Sequence, residues 1–139
     1  MKDRLFLNTN VVIDLLGERE PYYTAAAKIA TLADKLKIDL VVSALTYSTV
    51  YYLLSRFEIK EAVKAKIRKF KIIASTSDLT DDIISNGLAS NFPDFEDSLQ
   101  YFCALKENCD ILITRNSKDF KTSTIPVLTP DEYLASLKT

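Results

Sequence analysis

The chain has 139 residues, of which 47% are apolar, and its formal net charge is −1. This length and composition suit one domain with a substantial core, and the near-zero charge excludes a general electrostatic attraction to nucleic acid or membranes. The absence of histidine excludes a Ser-His-Asp triad, a Cys-His pair and a histidine metal site. Two glycines are too few for a phosphate-binding glycine loop, and two cysteines are too few for a four-ligand zinc site.

Short apolar runs alternate with helical patterns along the chain. The strand-like runs are Leu5–Leu7, Leu40–Val42, Ile72–Ala74, Ile111–Ile113 and Ile125–Leu128. Apolar residues at helical spacing fall within 26–36, 50–57, 59–70 and 99–103, and the closing "TPDEYLASL" contains a capping box of Thr129 and Glu132 with Pro130 at the first helical position. The alternation predicts one α/β domain over residues 1–139, with three α/β/α layers around a parallel sheet of about five strands.

Polar residues follow the predicted first and fourth strands. Asn8 ends the first strand, and Thr114, Asn116 and Asp119 follow the fourth. The segment "NFPDFEDSLQ" places Asp94, Glu96 and Asp97 at the start of a helix. Because ligands collect at the carboxyl ends of parallel strands, these residues converge on one acidic cleft if the first and fourth strands are neighbours. Carboxylate, amide and hydroxyl oxygens suit Mg²⁺ or Mn²⁺.

Each of these residues also has a structural interpretation. Asn10, and less readily Asn8, could cap the first helix. Asp94 with Asp97 is typical of a helix cap followed by an acid in the first turn, and Asn116 and Asp119 suit a turn. From the residues alone, both interpretations stay open.

Basic residues form one stripe on the predicted helix over 59–70. Lys60, Lys64, Arg68 and Lys71 are spaced along one face. The stripe is either a solvated face or a track for the phosphates of a nucleic acid. Arg115 and Lys118 lie at the mouth itself and are better placed to contact a phosphate.

The chain resembles the PIN domain family, whose best-known members are the nuclease toxins of bacterial toxin–antitoxin pairs. The resemblance is carried by "FLNTNVVIDLL", "SALTYSTVYYLLSR", "DFEDSLQYFCA", "DILITRNSKDF" and "IPVLTPDEYL", and it is strongest to the VapC-type subgroup with DFED and TRN-x-x-DF motifs. It implies acidic residues that bind Mg²⁺ or Mn²⁺ for phosphodiester hydrolysis, RNA as substrate, an antitoxin partner and a homodimer.

The resemblance assigns four positions to the metal and catalytic site. The first, an aspartate in the family, is Asn8 here, although Thr9 and Asn10 match. The second falls at Thr49, the third is Asp97 with Asp94 and Glu96 beside it, and the fourth is Asn116 with Asp119 close behind. The residues expected to be catalytic are therefore Asp97, Asn8, Asn116, Asp94 and Asp119, of which the first four are expected to hold the metal. From the placement of the basic residues, those expected to contact nucleic acid are Arg115, Lys118, Lys64 and Arg68.

Asn8 leaves two functions open. An amide ligates without supplying charge, so metal binding and cleavage should be weak. The chain is then either a metal-dependent endoribonuclease, the toxin of a toxin–antitoxin pair, or a PIN-like domain that binds nucleic acid or protein with little catalysis. A substitution that disarms a toxic nuclease would also leave Asn here. The lack of a signal peptide pattern, of a membrane-length apolar run and of a disulfide framework predicts a cytoplasmic protein with no membrane association.

Overall fold

The computed structural model describes residues 2–137, which form a five-stranded parallel sheet. The strands are β1 (Arg4–Leu7), β2 (Asp39–Ser43), β3 (Ala74–Ser77), β4 (Ile111–Ile113) and β5 (Val127–Leu128). Their spatial order is β3-β2-β1-β4-β5. β1 pairs in parallel with both β2 and β4, so the adjacency on which the predicted cleft depends is confirmed.

Within residues 2–137, seven helices cover the two faces of the sheet. They are α1 (Thr9–Leu16), α2 (Tyr23–Asp34), α3 (Ala44–Leu54), α4 (Lys60–Ile73), α5 (Asp81–Ala89), α6 (Phe95–Lys106) and α7 (Pro130–Ser136), with a 3₁₀ turn at Ser117–Phe120. Strand residues alternate between two cores, because Leu5 and Leu7 pack with α1–α4 and α7 whereas Phe6 packs with α5 and α6. The predicted three-layer α/β/α fold is therefore confirmed.

Several predicted element boundaries are wrong. Ile72 belongs to α4 and is 82% exposed, and β3 is instead the polar segment that follows it. The fifth strand contains only its last two predicted residues. Leu36, Phe57 and Ile59 lie outside the helices and are exposed. These residues were predicted to be helical or extended because they are apolar. In the structure, the neighbouring helices end before them or begin after them.

The last helix, α7, begins with the capping box that the sequence predicts. Thr129 accepts a hydrogen bond from the backbone N–H of Glu132, and the Glu132 carboxylate accepts one from the N–H of Thr129. This capping box starts α7 with Pro130 at its first position, as predicted. The cap fixes the helix that carries the fully buried Tyr133 into the core.

Cys103 and Cys109 are free, buried thiols. Burial raises the pKa of Cys109 to about 12, so this thiol stays protonated and unreactive at neutral pH. Within residues 2–137, each helix is too short or too polar to cross a lipid bilayer.

Candidate functional site

The hydroxyl of Thr114 is the centre of a polar cluster at the carboxyl ends of β1 and β4. Thr114 is fully buried, and its Oγ1 accepts hydrogen bonds from the side-chain amides of Asn8 at 3.0 Å and Asn10 at 3.2 Å. It also lies 3.3 Å from the backbone nitrogen of Asn116, which donates to it. The segments that follow the two strands are therefore held together, as the sequence predicted.

Asn8 caps α1. Its Oδ1 accepts a hydrogen bond from the backbone N–H of Thr9 at 2.8 Å. The preference for Asn10 as the cap is wrong, because Asn10 lies inside the helix and turns its amide to Thr114. The only oxygen of the Asn8 side chain is thus already engaged, whereas an aspartate here would carry a second oxygen in place of the amide nitrogen. Asn8 is therefore the cap of α1 at the same position where the family resemblance predicts a metal ligand.

Asp97 lies in the first turn of α6, half-buried and close to three other acids. Asp94 caps this helix, since its Oδ1 accepts from the backbone N–H of Asp97 at 2.9 Å. Burial, followed by the charges of Asp94, Asp119 and Glu96, raises the pKa of Asp97 to about 6, while a hydrogen bond from Asn8 lowers it. The structure therefore brings these predicted site residues into one electrostatic environment.

The negative charge of this cluster is not neutralised by neighbouring side chains. Among the ion pairs formed by residues 2–137, none involves Asp94, Glu96, Asp97 or Asp119. In the same part of the chain, no three acidic, cysteine or histidine side chains are arranged to hold a metal ion by themselves. A bound cation would therefore need amide, water or phosphate oxygens beside the carboxylates.

Arg115, which the sequence analysis expected to contact a phosphate, is held by two neighbouring side chains. Its Nε lies 2.8 Å from Oδ2 of Asp14, which is buried, and its guanidinium lies 4.3 Å from the centre of the Tyr22 ring. Burial raises the pKa of Asp14, and the charge of Arg115 opposes that rise. The guanidinium is therefore held in one orientation at the rim, whereas Lys118 is exposed in the 3₁₀ turn.

The basic stripe lies on α4, which packs in the layer opposite α6. Lys64 is 3.8 Å from Glu61, and both Lys64 and Arg68 are exposed. No hydrogen bond or ion pair within the described chain joins Lys64 or Arg68 to the acidic cluster. The stripe and the acidic cluster are therefore separate charged regions, carried by helices on opposite faces of the sheet.

Sequence reasoning missed Gln100, a fully buried polar residue of α6. Gln100 donates from Nε2 to the Oγ1 atoms of Thr9 and Thr46, at 3.1 and 3.4 Å. Thr49, assigned to the second acid position by resemblance, instead donates to the carbonyl of Leu45 in its own helix. Gln100 could have been noticed as a polar residue three positions after Asp97 in an otherwise apolar helix face.

Comparison with known proteins identifies the class to which this fold and site belong. Residues 4–118 match the model of the PIN domain family, and the chain belongs to that family. It is 31% identical over 135 residues to Ribonuclease VapC1 of Aquifex aeolicus, covering 94% of this chain and 93% of the relative.

Solved structures share the fold. One is a toxin-antitoxin complex from Klebsiella pneumoniae, with a TM-score of 0.67 and 22% identity over 91% of this chain and 97% of that one. Another is VapC20 of Mycobacterium tuberculosis, described as a sarcin-ricin loop cleaving toxin, with a TM-score of 0.67 and 14% identity over 85% of this chain and 94% of that one. At these identities, the similarity concerns the fold.

Proposed function

We propose that the chain is a metal-dependent endoribonuclease of the PIN type, the toxin of a toxin–antitoxin pair, with cleavage limited by Asn8. The observation that carries the proposal is the group of four acids beside Asn8, in which burial and then the charges of Asp94, Asp119 and Glu96 raise the pKa of the half-buried Asp97. Concentrated negative charge of this kind is typical of a site that receives a cation. The similarity to Ribonuclease VapC1 over nearly the whole chain supports the same class of activity.

The donor set fits Mg²⁺ or Mn²⁺, although weakly. Mg²⁺ is commonly held by one or two carboxylates with waters and substrate phosphates, and this site offers such carboxylates beside amide oxygens. Asp97 would hold the ion, with Asp94 and Asn116 next to it. The Asn8 oxygen already accepts from Thr9, so it has less capacity to ligate than an aspartate would. When bound, the ion would supply an activated water and stabilise charge on the phosphoryl group.

The chain's own residues position a phosphodiester rather than react with it. Arg115, held by Asp14 and the Tyr22 ring, presents a fixed positive charge at the rim. Lys118, exposed in the turn after β4, adds a second positive charge. Such groups orient a strand through its phosphates without selecting its sequence.

A second candidate function is a PIN-like domain that binds RNA or a protein partner with little catalysis. It is favoured by the engaged amide of Asn8, which caps α1 and donates to Thr114 instead of supplying charge. The antitoxin partner and the homodimer, which the family resemblance implies, and the cytoplasmic location, which the sequence composition predicts, belong to the first proposal.

The Asn8→Asp variant separates the two functions. We expect it to bind Mn²⁺ at least about tenfold more tightly than the wild type, because it adds one carboxylate at the site, and to cleave a single-stranded RNA faster. Calorimetric titration with Mn²⁺ and gel analysis of the RNA would measure the two effects. The double variant Asn8→Asp/Asp97→Ala is the control, and it should lose both gains.

The outcomes of this experiment are distinct. Cleavage of the RNA by both the wild type and the Asn8→Asp variant would show that the amide at position 8 is tolerated. Cleavage by the aspartate variant alone would show a nuclease centre disabled at one residue. Absence of cleavage from both, with RNA binding retained, would replace the enzyme by the binding domain.

A further inference from the structure

Gln100 links the two helical layers beside the acidic cluster. It lies on α6 three residues after Asp97, a spacing that places both side chains on the same face of the helix. Its side chain is fully buried, and Nε2 donates to Thr9 of α1 and Thr46 of α3. The amide therefore joins α6 to two helices of the opposite layer, at the point where α1 and α3 follow β1 and β2.

The stability of the fold does not explain this side chain. Gln100 Oε1 is buried and has no hydrogen-bond partner among residues 2–137. Burying an unpartnered polar atom is unfavourable, and an apolar side chain of similar size would avoid that cost. The hydroxyls of Thr9 and Thr46 lie 2.9 Å apart and bond to each other, so both would keep a partner without Gln100.

A continuous set of contacts runs from Gln100 to Asn8. Gln100 holds the Thr9 hydroxyl, and the Thr9 backbone N–H donates to Asn8 Oδ1 at 2.8 Å. On the other side, one turn of α6 connects Gln100 to Asp97. Asn8 and Asp97 come from different elements and share a hydrogen bond. Gln100 supports that contact from below, because its side chain bonds across to Thr9, the first residue of α1.

We infer that Gln100 is a positioning residue that sets the separation of Asp97 from Asn8 and thereby the metal affinity of the site. The inference rests on the proposed function, since it concerns the same site. Residues that orient metal ligands from outside typically affect affinity by about 10–100-fold when they are replaced.

The test compares Gln100→Leu with Ser98→Ala, each in the wild-type chain and in the Asn8→Asp background. Ser98 is also fully buried on α6, but its hydroxyl bonds to the carbonyl of Phe95 in the same helix. Calorimetric titration measures the Kd for Mn²⁺, and thermal unfolding in EDTA measures stability without metal. We expect Gln100→Leu to raise the Kd about tenfold with Tm unchanged or higher, and Ser98→Ala to change the Kd by less than about twofold.

Three results would overturn the inference. An unchanged Kd in Gln100→Leu would show that the amide does not position the ligands. A loss of affinity accompanied by a lower Tm, in both Gln100→Leu and the second variant Gln100→Met, would show a structural role only. If neither the wild type nor the Asn8→Asp variant binds Mn²⁺, the proposed function fails and this inference fails with it. If both bind Mn²⁺ with a Kd that does not depend on residue 100, only this inference fails.

Discussion

The side chain of Asn8 shows how one residue serves both the fold and the site. Its position at the end of a strand was predictable from the apolar run before it. Its hydrogen bond to Thr114 was not, because that contact joins residues 106 positions apart and depends on the pairing of β1 with β4. Sequence patterns report local structure, whereas this contact is set by strand order.

At the same scale, Asp97 makes the stability of the protein depend on pH. Folding raises its pKa from 3.8 to about 6, so the folded state holds this proton more tightly than the unfolded state. The stability that this provides is complete below about pH 4 and is lost as the pH rises through about 6. In EDTA, Asp97→Asn should therefore increase the free energy of unfolding at about pH 8 by about 1–2 kcal/mol, after allowance for partial exposure, with little change near pH 4.

Urea unfolding across this pH range measures the effect, and Asp39→Asn is the control. Asp39 is half exposed and forms a surface pair with Lys2 at 3.7 Å. Its replacement should change stability by less than about 0.5 kcal/mol at every pH. Equal stability of Asp97→Asn and the wild type at high pH would contradict the raised pKa.

At the scale of the elements, the buried strands were predicted best. β1, β2 and β4 lie in the middle of the sheet, where both faces are covered, so their apolar runs mark them clearly. β3 is an edge strand with the sequence Ala-Ser-Thr-Ser, and the apolar run before it belongs to α4. α5 was missed, although Thr80 and the acids Asp81 and Asp82 are typical of a helix start.

The helix caps allow a direct comparison of two threonines. Thr129→Ala should lower the free energy of unfolding by about 1–1.5 kcal/mol, because it removes one half of the capping box of α7. Thr80→Ala should cost less, about 0.5 kcal/mol, because its bond to the N–H of Ile83 is long, at 3.4 Å. Urea unfolding of both variants gives the ranking, and the reverse order would show that the box contributes little to α7.

At the scale of the whole molecule, acidic and basic residues occupy different layers. The acidic cluster belongs to α6 and the turn after β4, and the basic stripe belongs to α4 on the other side of the sheet. With a net charge of only −1, the chain has no overall attraction for RNA, so these local regions must provide it.

The double variant Lys64→Glu/Arg68→Glu tests the stripe as a phosphate track. In EDTA, we expect it to weaken binding of a single-stranded RNA and to reduce the dependence of log K on log salt by about 0.7 for each phosphate that the variant no longer binds. Fluorescence anisotropy at several salt concentrations measures both quantities.

The matched control is Lys2→Glu/Lys37→Glu, which makes the same change of charge just before β1 and β2, at the amino ends of these strands. It should bind RNA more tightly than the α4 variant does. If both double variants lose the same affinity, the stripe acts only through net charge and is not a track.

The position of β1 also governs when the site exists. β1 is synthesised first, yet the backbone N–H of Asn8 bonds to the carbonyl of Ile113, and its side chain bonds to Thr114. A growing chain on the ribosome therefore holds Asn8 long before α6 and β4 have emerged to complete the cleft. The cleft is therefore assembled only after α6 and β4 have been synthesised and have packed with β1.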